Sequence, residues 1–237
     1  MTFTKITKGD ELYMGKQNAW LIAILAVAIT IVAFMNYHAV SNNNNSQPNQ
    51  TISILLNSST TQTFTNQEVD ADKIATILKA GTQAPSAKNN QPWHFSVITN
   101  KDILEKINTD TLAIAQKAAE KDLTKPKPVQ GYHALFHAPL AIVISGTVDG
   151  PSAKFDTALA CENMSIAAQS LGLGSHIVMS MLQTFSGPNE AEYRKILDIP
   201  QNQKPVVVLL IGVPAAASSD AVSKATTRNL NVVTYVK

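Results

Sequence analysis

The chain has 237 residues, 45% of them hydrophobic and 15% charged, which is enough for one domain of ordinary size and an additional segment. Its formal net charge is +2, and the basic residues are scattered with no stripe of Lys and Arg between aromatics, so nothing calls for nucleic acid. Cys161 is the single cysteine, which excludes an intrachain disulfide and a cysteine-rich zinc site and fits a small buried apolar residue.

Residues 1–18 carry Lys5, Lys8 and Lys16, partly offset by Asp10 and Glu11. Ala19–Met35 then form an uncharged apolar run, which as a helix rises about 26 Å, close to the hydrocarbon thickness of a bilayer. No Lys or Arg follows until Lys73. The pattern predicts a single-pass signal anchor over residues 19–37, with the N-terminus in the cytoplasm and the following domain extracytoplasmic at the cell membrane. A cleaved signal peptide has the same layout, although His38–Ser41 matches a cleavage site poorly, and translation from Met14 gives another signal-like start. Residues 38–50 are Asn-rich and read as a flexible linker.

A domain is expected over 51–237. Ile52–Leu56 is short and apolar. Glu68–Ala80 has helical spacing, with Val69, Ile74, Ile77 and Leu78 on one face. Phe95–Thr99 reads as a strand and Lys101–Ala119 as a helix, before Pro126 and Pro128 break the chain. Leu140–Ser145 is a buried strand opened by Pro139, and Phe155–Leu171 a long helix ended by Gly172 and Gly174. Asn189–Leu197 predicts a further helix, Pro205–Val213 a β-branched strand, and Asn231–Val236 a candidate strand. Helices interleaved with a few strands predict an α+β or three-layer domain.

Ala84–Trp93 has the character of a ligand loop. Pro85 and Pro92 stiffen its ends, Ser86, Asn89 and Gln91 offer donors and acceptors, and Trp93 is a flat anchor. The segment APSAKNNQPWHF resembles the APSxxNxQPWxF signature of the nitroreductase family. His137-Ala138-Pro139-Leu140, Asp156–Gly174 and Ile211-Gly212-Val213-Pro214 resemble three further family segments in the same order. The resemblance covers most of residues 52–237. It implies an α+β, three-layer α-β-α fold, an intertwined homodimer, and FMN at two sites on the dimer interface.

Carried over residue by residue, the resemblance places the flavin contacts of the partner subunit on Ser86 and Asn89, with Gln83 and Ala87 beside them. It places the backbone nearest the ring at His176, Ile177, Val178 and Met179, and a phosphate-binding cation at Arg228. The family's Arg-Arg-Ser-x-Arg-x-Phe opening is represented by Ser58-Ser59-Thr60-Thr61-Gln62-Thr63-Phe64. Phe64 and the Thr60 hydroxyl remain, and every cation is replaced. Ser58, Ser59 and Thr60 are then left to hold the phosphate, and Gln62 to donate a hydrogen bond near the ring's N1 and O2.

The chemistry implied is ping-pong reduction of nitro compounds, quinones or similar small acceptors, in which no side chain is needed as a nucleophile. An extracytoplasmic domain implies an electron donor other than NAD(P)H, which serves only if the domain faces the cytoplasm. The alternative is a degenerate, non-catalytic flavin- or small-ligand-binding module, which the loss of cations at Ser58–Gln62 favours. His133 and His137 have the spacing of a metal-ligand pair, but no third ligand lies near them in sequence. Glu162 on an apolar helix reads as an interface residue.

Overall fold

The structure, a computed structural model, describes residue 20 and residues 23–36, 49–215 and 231–236. The chain divides into two units, Met1–Ile52 and Ser53–Lys237. In the first, residues 23–36 form helix α1. Among the described residues no helix is long and apolar enough to cross a membrane. The anchor expected over Ala19–Met35 is thereby overturned, and with it the single-pass membrane location and the extracytoplasmic domain. The expected linker lies outside the described residues up to Asn49, and Gln50 instead opens helix α2 (Gln50–Asn57).

The second unit continues with α3 (Ala71–Thr82), β1 (Trp93–Ile98), α4 (Lys101–Lys121), β2 (Leu140–Thr147), α5 (Ala153–Ser170), β3 (Gly174–Val178), α6 (Glu190–Ile196) and β4 (Gln203–Gly212). The strands form one antiparallel sheet in the order β1-β2-β4-β3. Alternation along the strands builds the layers. Ala141, Val143, Val208 and Leu210 face a core with Leu104 and Ile107 of α4 and Tyr193 of α6. Leu140, Ile142, Leu209 and Ile211 face the opposite core, with Ile77 of α3 and Cys161, Met164 and Ala168 of α5. This is the expected three-layer α+β arrangement.

Local chemistry sets the ends. The Asn100 side chain caps α4 by accepting from the Asp102 and Ile103 amides. Gly172 at φ 76° carries the chain out of α5, whereas Gly174 belongs to β3. The ladder of β2 and β4 shifts register between Ile144 and Ser145, opposite Pro205, which has no amide to donate. Residues 231–236 are exposed and contain no strand.

Candidate functional site

The segment Ser58–Thr65 is stitched to the sheet beside β3. Thr61 donates its amide to the Ser175 carbonyl at 2.9 Å, Phe64 to Phe136 at 3.0 Å, and Thr65 to Val213 at 2.8 Å. The Thr61 carbonyl in turn lies 2.8 Å from His176 Nδ1, and since a carbonyl only accepts, the imidazole donates there. Thr61 is buried against Gly174, where any Cβ would collide with its side chain. Ser175 is held from behind by the Ser165 hydroxyl at 2.9 Å and the Gln169 amide at 3.0 Å. The structure therefore gathers Ser58, Ser59, Thr60 and Gln62 with His176, Ile177, Val178 and Met179.

What this edge presents is neutral hydrogen-bonding capacity. Ser58 donates to the Leu55 carbonyl, while Ser59, Thr60 and Gln62 have no side-chain partner among the described residues. Among the named strands of the described residues, β3 pairs with β4 alone. The Ser175 carbonyl points away from β4 to Thr61, so the alternation of an antiparallel ladder turns the Ile177 N–H and C=O to the same open edge. Ile177 and Met179 are exposed there, whereas the Val178 side chain enters the core and leaves only its backbone near the edge. The His176 ring stacks on Phe136 at 4.3 Å, and burial lowers its pKa against the opposing effect of the Thr61 bond.

The Ala84–Trp93 loop is held differently. Ser86 Oγ accepts from the Gln91 amide at 3.0 Å, and the Ala87 amide donates to Asp156 of α5 at 3.2 Å. Lys88, Asn89 and Gln91 all have positive φ, 55°, 54° and 46°, a conformation that costs non-glycine residues. Gln83, Ala87 and Asn89 are exposed and Ser86 is half-buried. The sequence reading missed Asp156; an acidic residue in the first turn of an otherwise apolar helix was its one signal.

One chain does not bring these two groups together. The loop feeds β1 at one edge of the sheet, and the Ser58–Gln62 segment borders β3 at the other. Three strand spacings, about 14 Å, separate those edges. Arg228 lies outside the described residues.

The turn between α4 and β2 braces the β3 edge. His133 Nδ1 accepts from the Leu135 and His137 amides at 3.2 and 3.3 Å, and its Nε2 faces Glu105 at 3.5 Å. The His133 and His137 rings lie 4.1 Å apart. His133 Nδ1 is occupied by two donors, and the described residues contain no group of three potential metal ligands. Cys161 is buried in the α5 core, and burial pushes its thiol up to about 12, far from reactive.

Comparison with known proteins agrees with this architecture. The nitroreductase family profile matches residues 57–213. A protein of Methanothermobacter thermautotrophicus, named as an NADH dehydrogenase/NAD(P)H nitroreductase, is 30% identical over 159 residues, covering 64% of this chain and 71% of that one. A Bacillus subtilis protein named FMN reductase (NADPH) is 28% identical over 182 residues, 72% of this chain and 68% of its own. The crystal structure of a Bacteroides fragilis nitroreductase with bound FMN superposes with a TM-score of 0.71 at 27% identity, covering 80% of this chain and all of that one. The chain belongs to the nitroreductase family.

Proposed function

We propose that this protein is an FMN-dependent oxidoreductase of the nitroreductase type, reducing nitro compounds, quinones or similar small acceptors in a ping-pong cycle. The observation that carries the reading is the open edge of β3, flanked by the free Ser59, Thr60 and Gln62 side chains, in a chain of this family. The donor set fits FMN: hydroxyls and backbone amides suit a phosphate, and the Ile177 N–H and C=O suit the polar edge of a flavin ring. When bound, FMN supplies two-electron chemistry, taking a hydride equivalent from a donor and passing it on to the acceptor.

The protein's part is to bind, orient and exclude water. Gln62 would offer the ring a hydrogen bond without the charge of the family's usual residue. A charge-assisted hydrogen bond is about twice as strong as a neutral one, so the flavin here is held less tightly and at a lower potential than with Arg in these places. Arg228, which lies outside the described residues, would by the family resemblance be the cation available to the phosphate. With the membrane anchor overturned, the objection to NAD(P)H falls, and the names of the relatives favour it as donor.

The domain, residues 51–237, acts as a homodimer. Support comes from the separation of the two candidate groups in one chain, which a second copy offering its Ser86–Asn89 loop resolves. The outer face of α5 exposes Phe155 and Glu162 and leaves Leu159 and Ile166 half-covered, a surface suited to a second copy. A degenerate module that binds without turnover is the second reading, favoured by the absence of cations at Ser58–Gln62.

The deciding experiment is the visible spectrum of the purified full chain. Flavin absorbance bleached by NAD(P)H and restored by a nitroaromatic or quinone is expected from a dimer. A colourless protein that ignores added FMN rules the enzyme out, and bound flavin that no acceptor reoxidises selects the second reading.

A further inference from the structure

Helix α4, the segment Lys125–Val129 and the turn Ser180–Thr184 enclose a cavity of about 470 Å³, within the range that holds a small organic ligand. Its wall is apolar, with Leu112 and Ala115 of α4 facing Tyr132. At its floor the Thr111 and Thr184 hydroxyls satisfy each other at 2.8 Å, and Thr111 also donates to the Ile107 carbonyl, so little polar capacity is left there. The mouth is different. Lys125 and Lys127 stand on a Lys-Pro-Lys-Pro run, whose prolines fix the backbone that carries them.

Neither lysine forms an ion pair among the described residues. The carboxylate whose charge Lys125 feels, Asp122, is already taken by the Thr124 hydroxyl at 2.7 Å and amide at 3.0 Å. Two exposed lysines, without an ion pair among the described residues, line a mostly apolar pocket and favour a ligand with a flat apolar body and an anionic end. The cavity also adjoins the candidate flavin edge. Ser180 follows Met179 directly, and Tyr132 packs edge-on against Phe136 at 5.9 Å, the ring that stacks on His176.

We infer that this cavity binds a small aromatic acid, with the ring between Leu112, Ala115 and Tyr132 and the carboxylate at Lys125 and Lys127. Its role as the acceptor's site rests on the flavin reductase reading; the binding itself does not. The mostly apolar wall suits a ring better than a ribose, although Ser180 and Gln183 also line the cavity.

Titration of the full chain with benzoate and with its neutral isostere benzamide, followed by ligand-observed NMR, tests the binding. Benzoate is expected to bind about three- to fivefold more tightly at low ionic strength, the preference fading with salt, as befits exposed ion pairs. Lys125→Met with Lys127→Met is expected to bring the two ligands to the same affinity. In the flavin-loaded protein, 4-nitrobenzoate is expected to show a lower KM than nitrobenzene, and the double variant to lose that ratio. Equal binding of benzoate and benzamide, or none, overturns the inference, as does displacement of benzoate by the 2′-phosphate end of NADPH alone. A chain that binds benzoate yet holds no flavin sinks the proposed function and leaves this inference standing. One that reduces both nitroaromatics with equal KM sinks only this inference.

Discussion

The backbone amide of Ala87 donates to the carboxylate of Asp156 across 3.2 Å, joining the exposed Ser86–Asn89 loop to the buried first turn of α5. Lys88 and Asn89 of that loop, and Gln91 just after it, have positive φ, so its shape is maintained by such bonds and not by local preference. Removing the acceptor with Asp156→Ala is expected to release the loop and weaken FMN binding about tenfold, the scale of one lost hydrogen bond to a charged group. Asp156→Asn keeps an acceptor oxygen and is expected to recover most of the affinity. Fluorescence titration with FMN and hydrogen exchange at Ala87 read the two effects separately. If Asn and Ala variants behave alike, the bond does not position the loop.

Gly174 makes a comparable point at the other edge of the sheet. A Cβ there would meet the buried Thr61 side chain and Pro214, so the Ser58–Gln62 segment and β3 approach closely only because the residue is glycine. Gly174→Ala is expected to cost about 1–3 kcal/mol through overpacking and to push Thr61 off the strand. Thermal unfolding reports the first effect. Loss of FMN affinity beyond that of an equally destabilised core variant reports the second.

Much of this was legible in the sequence, where periodicity and composition dominate. The alternating, β-branched runs at Leu140–Thr147 and Gln203–Gly212 and the apolar faces of α3, α4 and α5 lie within a few residues of the expected positions, because burial drives both the pattern and the fold. Strand β3 was not read as a strand. Five residues, GSHIV, carry too little pattern, and their pairing with β4 is tertiary. Ile52–Leu56 reads as a bare apolar patch, yet it lies inside α2. The Ala19–Met35 run misled because hydropathy measures composition alone, and among the described residues no helix is long and apolar enough to cross a membrane. At the candidate site, motifs only nominated residues. They could not show that Ser58–Gln62 and Ser86–Asn89 sit at opposite edges, nor that Asp156 and His176 hold them in place.

Tyr193 supplies a stability test away from the site. Its fully buried ring directs the hydroxyl to Asp110 at 2.7 Å, and Lys106 reaches the same carboxylate at 3.0 Å. Burial would raise the Asp110 pKa, but these two donors hold it below the ordinary 3.8. A carboxyl depressed in the folded state contributes stability above its unfolded value and loses it as pH falls through the folded one. Tyr193→Phe keeps the packing and removes one donor, so a loss of about 1.5–3 kcal/mol at neutral pH is expected by urea denaturation. The deficit is expected to shrink once Asp110 is protonated in both proteins. A deficit independent of pH would mean that packing, not this bond, was lost.

His133 sets the expected pH response of the β3 edge. Burial lowers its pKa below 6.5, and the nearby His137 adds to this, against the opposing pull of Glu105. Its Nδ1 accepts from two backbone amides, so a proton placed there faces donors instead of filling a vacancy. A histidine depressed in the folded state is neutral there while the unfolded chain takes up a proton. The associated stability is therefore intact above 6.5, declines as pH falls below that value, and is gone once pH passes the folded pKa. The slope is at most about 1.4 kcal/mol per pH unit for each proton. Protonation of the folded protein, as pH falls through the folded pKa, loosens the turn that holds Phe136, which carries both the Phe64 amide bond and the His176 stack, so flavin affinity is expected to fall there. His133→Gln removes the titrating group, and the variant's stability and FMN affinity are expected to vary less between pH 7 and the acid limb than those of the wild type. Parallel pH profiles for the two proteins would place the acid sensitivity elsewhere, with His176 the next group to replace.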